Sequence, residues 1–161
     1  MDGAIEAGVP VASYAWGVRA TDEGAGASGH ELLEHTADVG IRSWGPTPEA
    51  AFEQAAWALV DLLDIRGEGT GEARAISASS GDAPGLLVDF LNELIFLHET
   101  EEVAVSGIRV VRLTDEGLEA EVETVPLGRP PQGTVVKAAT YRVRVDRSPE
   151  GRAETQVFLD V

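Results

Sequence analysis

The chain has 161 residues, 43% of them hydrophobic, with a formal net charge of −16 from 28 acidic and 12 basic residues and no cysteine. That length supports one sizeable core rather than two, and the charge repels a nucleic-acid backbone while suiting cations or basic protein surfaces. Without thiols there can be no disulfide, zinc–thiolate site or cysteine nucleophile, which leaves oxygen groups and three histidines as metal ligands.

No apolar run is long enough to span a membrane and no basic start with an apolar block marks a secretory signal, so a soluble, cytoplasmic protein is expected. Residues 1–29 mix Gly, Ala, Asp and Glu around one apolar cluster at 9–16 and close on GAGASG. They read as a flexible extension, leaving a folded domain at 30–161. Strand patterning runs over 31–35 and resumes over 39–44 after a short turn at 36–38, so the two segments are expected to pair.

Thr47 is a good N-cap and Pro48 suits the first helical position. After them Phe52, Ala55, Ala56, Leu59, Leu62 and Leu63 recur at helical spacing. This first helix should stop near Asp64, before a joint at Gly67, Gly69 and Gly71 and an alternating segment at 73–79. The joint lacks the lysine of a phosphate-binding loop and a strand leading into it, and it reads as a plain loop. A second helix is expected over 84–99, with Leu86, Leu87, Phe90, Leu91, Leu94 and Ile95 on its apolar face. Four strands follow at 108–113, 118–125, 134–145 and 153–160, separated by turn residues. The order predicts an α+β domain whose two amphipathic helices pack on an antiparallel or mixed sheet. Trp44 and Trp57 fall on apolar-patterned elements and read as core residues rather than stacking platforms.

Three blocks stand out. The first, EHTADVGIRSWG at 34–45, leads straight into the first helix; the second is PQGTVVKAATY at 131–141; the third is the closing FLDV at 158–161. With NELIF at 92–96, their order and spacing closely resemble the archease family over roughly residues 30–161. The family pattern often places histidine after the TY pair, where this chain has Arg142.

On spacing alone, the Asp38 carboxylate can either bond nearby backbone N–H groups or stand as an oxygen ligand. The resemblance implies the second: archeases hold a divalent cation with the aspartate of this turn, the penultimate aspartate and the final residue, here Asp38, Asp160 and Val161. The plainer reading of Val161 is a frayed end. An all-oxygen set suits Ca²⁺, or Mg²⁺, over zinc. Lys137 reads as a solvated strand residue, and His35 as a partly buried strand residue bonded to backbone. Both match family positions and are candidates for the functional surface beside the acidic site. His30 and His98 have no metal-ligand spacing.

The resemblance further implies a protein cofactor with no catalysis of its own. It would bind an RtcB-type RNA ligase, promote its guanylylation and support multiple turnover in tRNA splicing or RNA repair, with GTP, Mn²⁺ and RNA belonging to the ligase. The competing reading is a metal-dependent hydrolase using the same aspartates to activate water, although the sequence offers no general base beside them.

Overall fold

The computed structural model of the chain describes residues 27–34 and 38–161. In chain order the elements are β1 (Gly29–Glu34), β2 (Asp38–Gly45), α1 (Pro48–Leu63), β3 (Glu72–Ser79), α2 (Ala83–Glu101), β4 (Val103–Leu113), β5 (Gly117–Pro126), β6 (Ala138–Arg147) and β7 (Ala153–Asp160). The expected α+β class is what the structure shows, with the strands divided between two antiparallel sheets in the orders β1-β2-β7-β6 and β3-β5-β4. The extension drawn at 1–29 lies, up to residue 26, outside the described residues; Ala27 is buried and Gly29 opens β1.

Both helices begin where the sequence supplies an acceptor. Thr47 Oγ1 accepts the Ala50 N–H at 3.1 Å and Asp82 Oδ1 accepts that of Gly85 at 2.8 Å, each with a proline in the first turn. Each helix is closed by a left-handed residue, Asp64 (φ 60°) and Glu102 (φ 54°).

α1 packs on β2 and β7 of the larger sheet and on β4 of the smaller, while α2 packs on β6 of the larger and β3 of the smaller. The helices therefore form a middle layer, which explains why α1 buries Ala51, Ala58 and Val60 as well as its predicted stripe. Its alanines let β2 approach closely enough for the Ser43 hydroxyl to donate to the Ala51 carbonyl at 2.7 Å. Phe52, Leu59, Phe90, Leu91, Val122, Val157 and Leu159 are fully enclosed in one continuous core; each such side chain contributes about 1.5–3 kcal/mol of transfer free energy.

Trp44 is buried as expected, but on the face of the larger sheet turned away from the helices. The guanidinium groups of Arg42 and Arg152 both stand over its ring, 5.1 and 5.2 Å from the centroid. Arg42 also bridges buried Glu31 (3.0 Å) and Glu154 (3.5 Å) across three strands. Trp57 is partly buried against the core with Arg66 stacked 4.1 Å above it. The Gly67–Gly71 joint is tied down at its start: Gly67 N–H donates to the Val105 carbonyl and Val105 N–H to that of Ile65, both at 2.8 Å.

Candidate functional site

The first block folds as a strand because its alternate residues serve two faces. Val39 and Ile41 turn toward the helices, while Asp38, Gly40, Arg42 and Trp44 lie on the other face. β7 pairs with β2 throughout, matching Gly40 with Phe158 and Asp38 with Asp160. A side chain at position 40 would meet the Phe158 ring at 2.9 Å and Leu33 Cβ at 3.1 Å, so glycine there lets the ring lie flat across β2. Phe158 is thereby fixed two residues before Asp160, on the same face.

Asp38 opens β2 and Asp160 closes β7, and the two stand directly opposite each other. Facing residues of an antiparallel pair hold their Cβ atoms roughly 4.5–5.5 Å apart on one face, and like charges there destabilise the pair. Asp160 is exposed and Asp38 partly so. From the opposite side Ala138, the first residue of β6, also faces Asp160.

Lys137 lies just before β6 rather than inside a strand, which corrects the expected 134–145 element. Its side chain is exposed and its N–H donates to the Asp160 carbonyl at 2.7 Å. Three strand ends thus bring Asp38, Lys137, Asp160 and Val161 to one end of the larger sheet, Val161 being 36% exposed. His35 lies outside the described residues, and of Thr140, Tyr141 and Arg142 only the backbone, within β6, is described. His30 is buried beside Gln54 (2.8 Å), and His98 Nδ1 lies 3.3 Å from the Val103 carbonyl. Among the described residues no three His, Cys, Asp or Glu side chains converge as a metal-binding group.

Two positioning groups are not marked by the sequence: Asn92, inside a family-like block, and the Asp64–Arg129 pair, outside all of them. Asn92 on α2 accepts the Ala139 N–H at 2.8 Å and donates to its carbonyl at 3.3 Å. This satisfies the open edge of β6 just where its pairing with β7 loses regular register. The segment ahead of β6 is held by the end of α1: Asp64 accepts a forked pair from Arg129 (2.6 and 2.8 Å) and the Gln132 N–H (2.9 Å), and Thr134 N–H donates to the Leu62 carbonyl (2.9 Å).

These bonds, that from Arg129 first, hold the Asp64 carboxyl well below its usual 3.8. A depressed folded-state pKa contributes stability that is fully present above the unfolded value and lost as pH falls below it. Arg129→Ala is therefore expected to lower the melting temperature at pH 7 and to flatten its decline below about pH 4. Parallel melting curves for the variant and the parent from pH 7 to 2 would contradict this.

The chain is thus a two-sheet α+β domain with a helical middle layer and paired aspartates at one strand end. The model of the Archease protein family (MTH1598/TM1083) matches residues 30–161. The archease of Methanosarcina acetivorans is 34% identical over 140 residues, covering 82% of this chain and 95% of that one. That of Thermococcus gammatolerans is 36% identical over 138 residues, covering 81% and 97%. Among solved structures, Methanobacterium thermoautotrophicum protein 1598 superposes with a TM-score of 0.68 at 27% identity over 82% of this chain and 98% of that one. A Thermotoga maritima archease, described as a possible chaperone, shares the fold with a TM-score of 0.51 at 22% identity over 80% and 94%. The chain belongs to the archease family. No helix among the described residues is long and apolar enough to cross a membrane.

Proposed function

We propose that this chain is an accessory protein of an RtcB-type RNA ligase, which promotes guanylylation of the ligase and supports its repeated turnover in tRNA splicing or RNA repair in the cytoplasm. The observation that carries the reading is the direct register of Asp38 and Asp160, with Lys137 and Val161 at the same sheet end. Facing carboxylates form a poor surface for RNA phosphates and a good one for a cation or a basic protein group. The net charge of −16 points the same way. GTP, Mn²⁺ and the RNA ends belong to the ligase.

The donor set fits a hard, oxygen-bound ion: two carboxylates on one face, with Val161 one residue beyond Asp160. Ca²⁺, or Mg²⁺, held by Asp38, Asp160 and Val161 would supply the positive charge that cancels their repulsion. Asp38 and Asp160 would hold such an ion; the Lys137 N–H fixes the Asp160 main chain, and its exposed ammonium group would reach an acidic group on the partner. This assigns the chain a protein partner and no chemistry of its own, in keeping with a chaperone-like role.

The test is a coupled assay in which the ligase is guanylylated with and without the chain. A rise in rate of about tenfold, some 1.4 kcal/mol of barrier, is expected on addition. The chain alone should hydrolyse neither GTP nor phosphoesters in the presence of divalent ions. An unchanged ligase rate would refute the proposal, and turnover by the isolated chain would favour the hydrolase reading.

A further inference from the structure

α2 buries one stripe and turns another to solvent. Along the exposed stripe, at spacings of three or four residues, stand Asp89, Glu93, Phe96 and Glu99. Phe96 is 61% exposed, an aromatic ring set among carboxylates on the polar side of an otherwise regular amphipathic helix. The core does not require it there, since Leu94 and Ile95 already fill the buried positions of that turn.

A second apolar side chain is also exposed. Val135, 76% exposed, lies on the segment that leads to β6. It lines a cleft of about 110 Å³ together with Ile95 and Glu99, which precede and follow Phe96 on α2. Both residues are tied to the strand-end site through the backbone. Asn92, one helical turn before Phe96, holds Ala139, and Lys137, two residues after Val135, holds Asp160.

We infer that Phe96 and Val135 are the anchors of a docking surface running from the exposed stripe of α2 to the Asp38/Asp160 site, and that its occupant is an apolar socket rimmed by basic side chains on the ligase. The inference rests on the ligase reading above and says where the contact energy lies. Aromatic anchors ringed by polar groups are the usual hot spots of protein interfaces. An enzyme whose substrates are polyanions gathers cations around its binding mouth, and three carboxylates around Phe96 complement that charge. A second copy of this chain fits poorly, because self-association would oppose two acidic stripes.

The test compares ligase binding, by calorimetry on the full chain, for the parent and for Phe96→Ser, Val135→Ser and Glu93→Lys. Because all three positions are solvent-exposed, melting temperature and its Ca²⁺ dependence should stay as in the parent. Phe96→Ser should weaken binding about 30-fold, as loss of a hot spot does; Val135→Ser should weaken it less, and Glu93→Lys should reduce its salt dependence. If the parent binds and Phe96→Ser binds equally well, the inference fails and the ligase reading stands. If the parent sediments as a dimer and Phe96→Ser as a monomer, the occupant is a second copy and the inference fails. If the parent binds no ligase, the ligase reading falls and this inference with it.

Discussion

Replacing Asp38 or Asp160 with Asn is expected to separate the ion's contribution from that of the fold. Without divalent ions Asp160→Asn should be as stable as the parent or more so, because one of two facing charges is gone. With Ca²⁺ at a hundred times its dissociation constant the parent should gain about 2.7 kcal/mol, equivalent to a rise of roughly 5–10 °C in melting temperature, and the variants little. Activation of the ligase should fall in parallel. A tag appended after Val161 crowds the proposed site while keeping every side chain, and it should reduce both effects, whereas the same tag before Met1 should reduce neither. Equal Ca²⁺ stabilisation and activation in the two tagged forms would remove Val161 from the site. Equal Ca²⁺ stabilisation of Asp38→Asn, Asp160→Asn and the parent would remove the site itself.

The second large effect is expected at Gly133. A Cβ there would stand 2.3 Å from the Leu62 carbonyl oxygen and 2.5 Å from the Leu63 carbonyl carbon, both backbone atoms of α1 that cannot turn aside. Gly133→Val should lift the segment off the helix end and break the Thr134–Leu62 bond. Overpacking together with a lost hydrogen bond is worth about 2–4 kcal/mol. Because Lys137 follows four residues later, activation should fall even at temperatures where the variant is folded. Gly128→Ala, with no atom within 4 Å of the added carbon, is the control expected to be silent. Equal melting temperatures for the two variants would show that the segment does not depend on this contact.

What was legible in the sequence divides along local and non-local lines. α1 follows from Thr47, Pro48 and a helical stripe, and β7 begins and ends at its predicted residues, 153 and 160, because caps and alternation are written in neighbouring positions. Residues 134–137 look like a strand, yet their hydrogen bonds go to Leu62 and Asp160, partners that alternation cannot encode. The first part of β4, residues 103–107, was missed. Irregularities at Val105/Gly107 and Val110/Arg112 reset its period, and the Glu53 carboxylate on α1 accepts the Val110 N–H at 2.8 Å. Division of the strands into two sheets depends on pairing partners, which the pattern of each strand leaves open.

The candidate site shows the same division. Asp38 and Asp160 were singled out from family-like blocks, but their facing register arises only when β7 inserts between β2 and β6. Asn92 and Arg129 carry no signature of their own: one is a polar residue on a helix, the other a surface arginine, until the fold supplies Ala139 and Asp64 as partners.

The central position of β7 has a consequence for synthesis. Ser43 and Thr155, which share a buried hydroxyl contact, are 112 residues apart, and the partners on both sides of β7 are made before it. A ribosome-bound chain that has emitted both helices and the smaller sheet still has β2 and β6 unjoined, with the core-facing side of α1 uncovered where Val157 and Leu159 will sit. Pairing of such high contact order comes late in folding. The acidic strand end therefore appears only after β7 has been made and paired, so a chain truncated before β7 cannot present it.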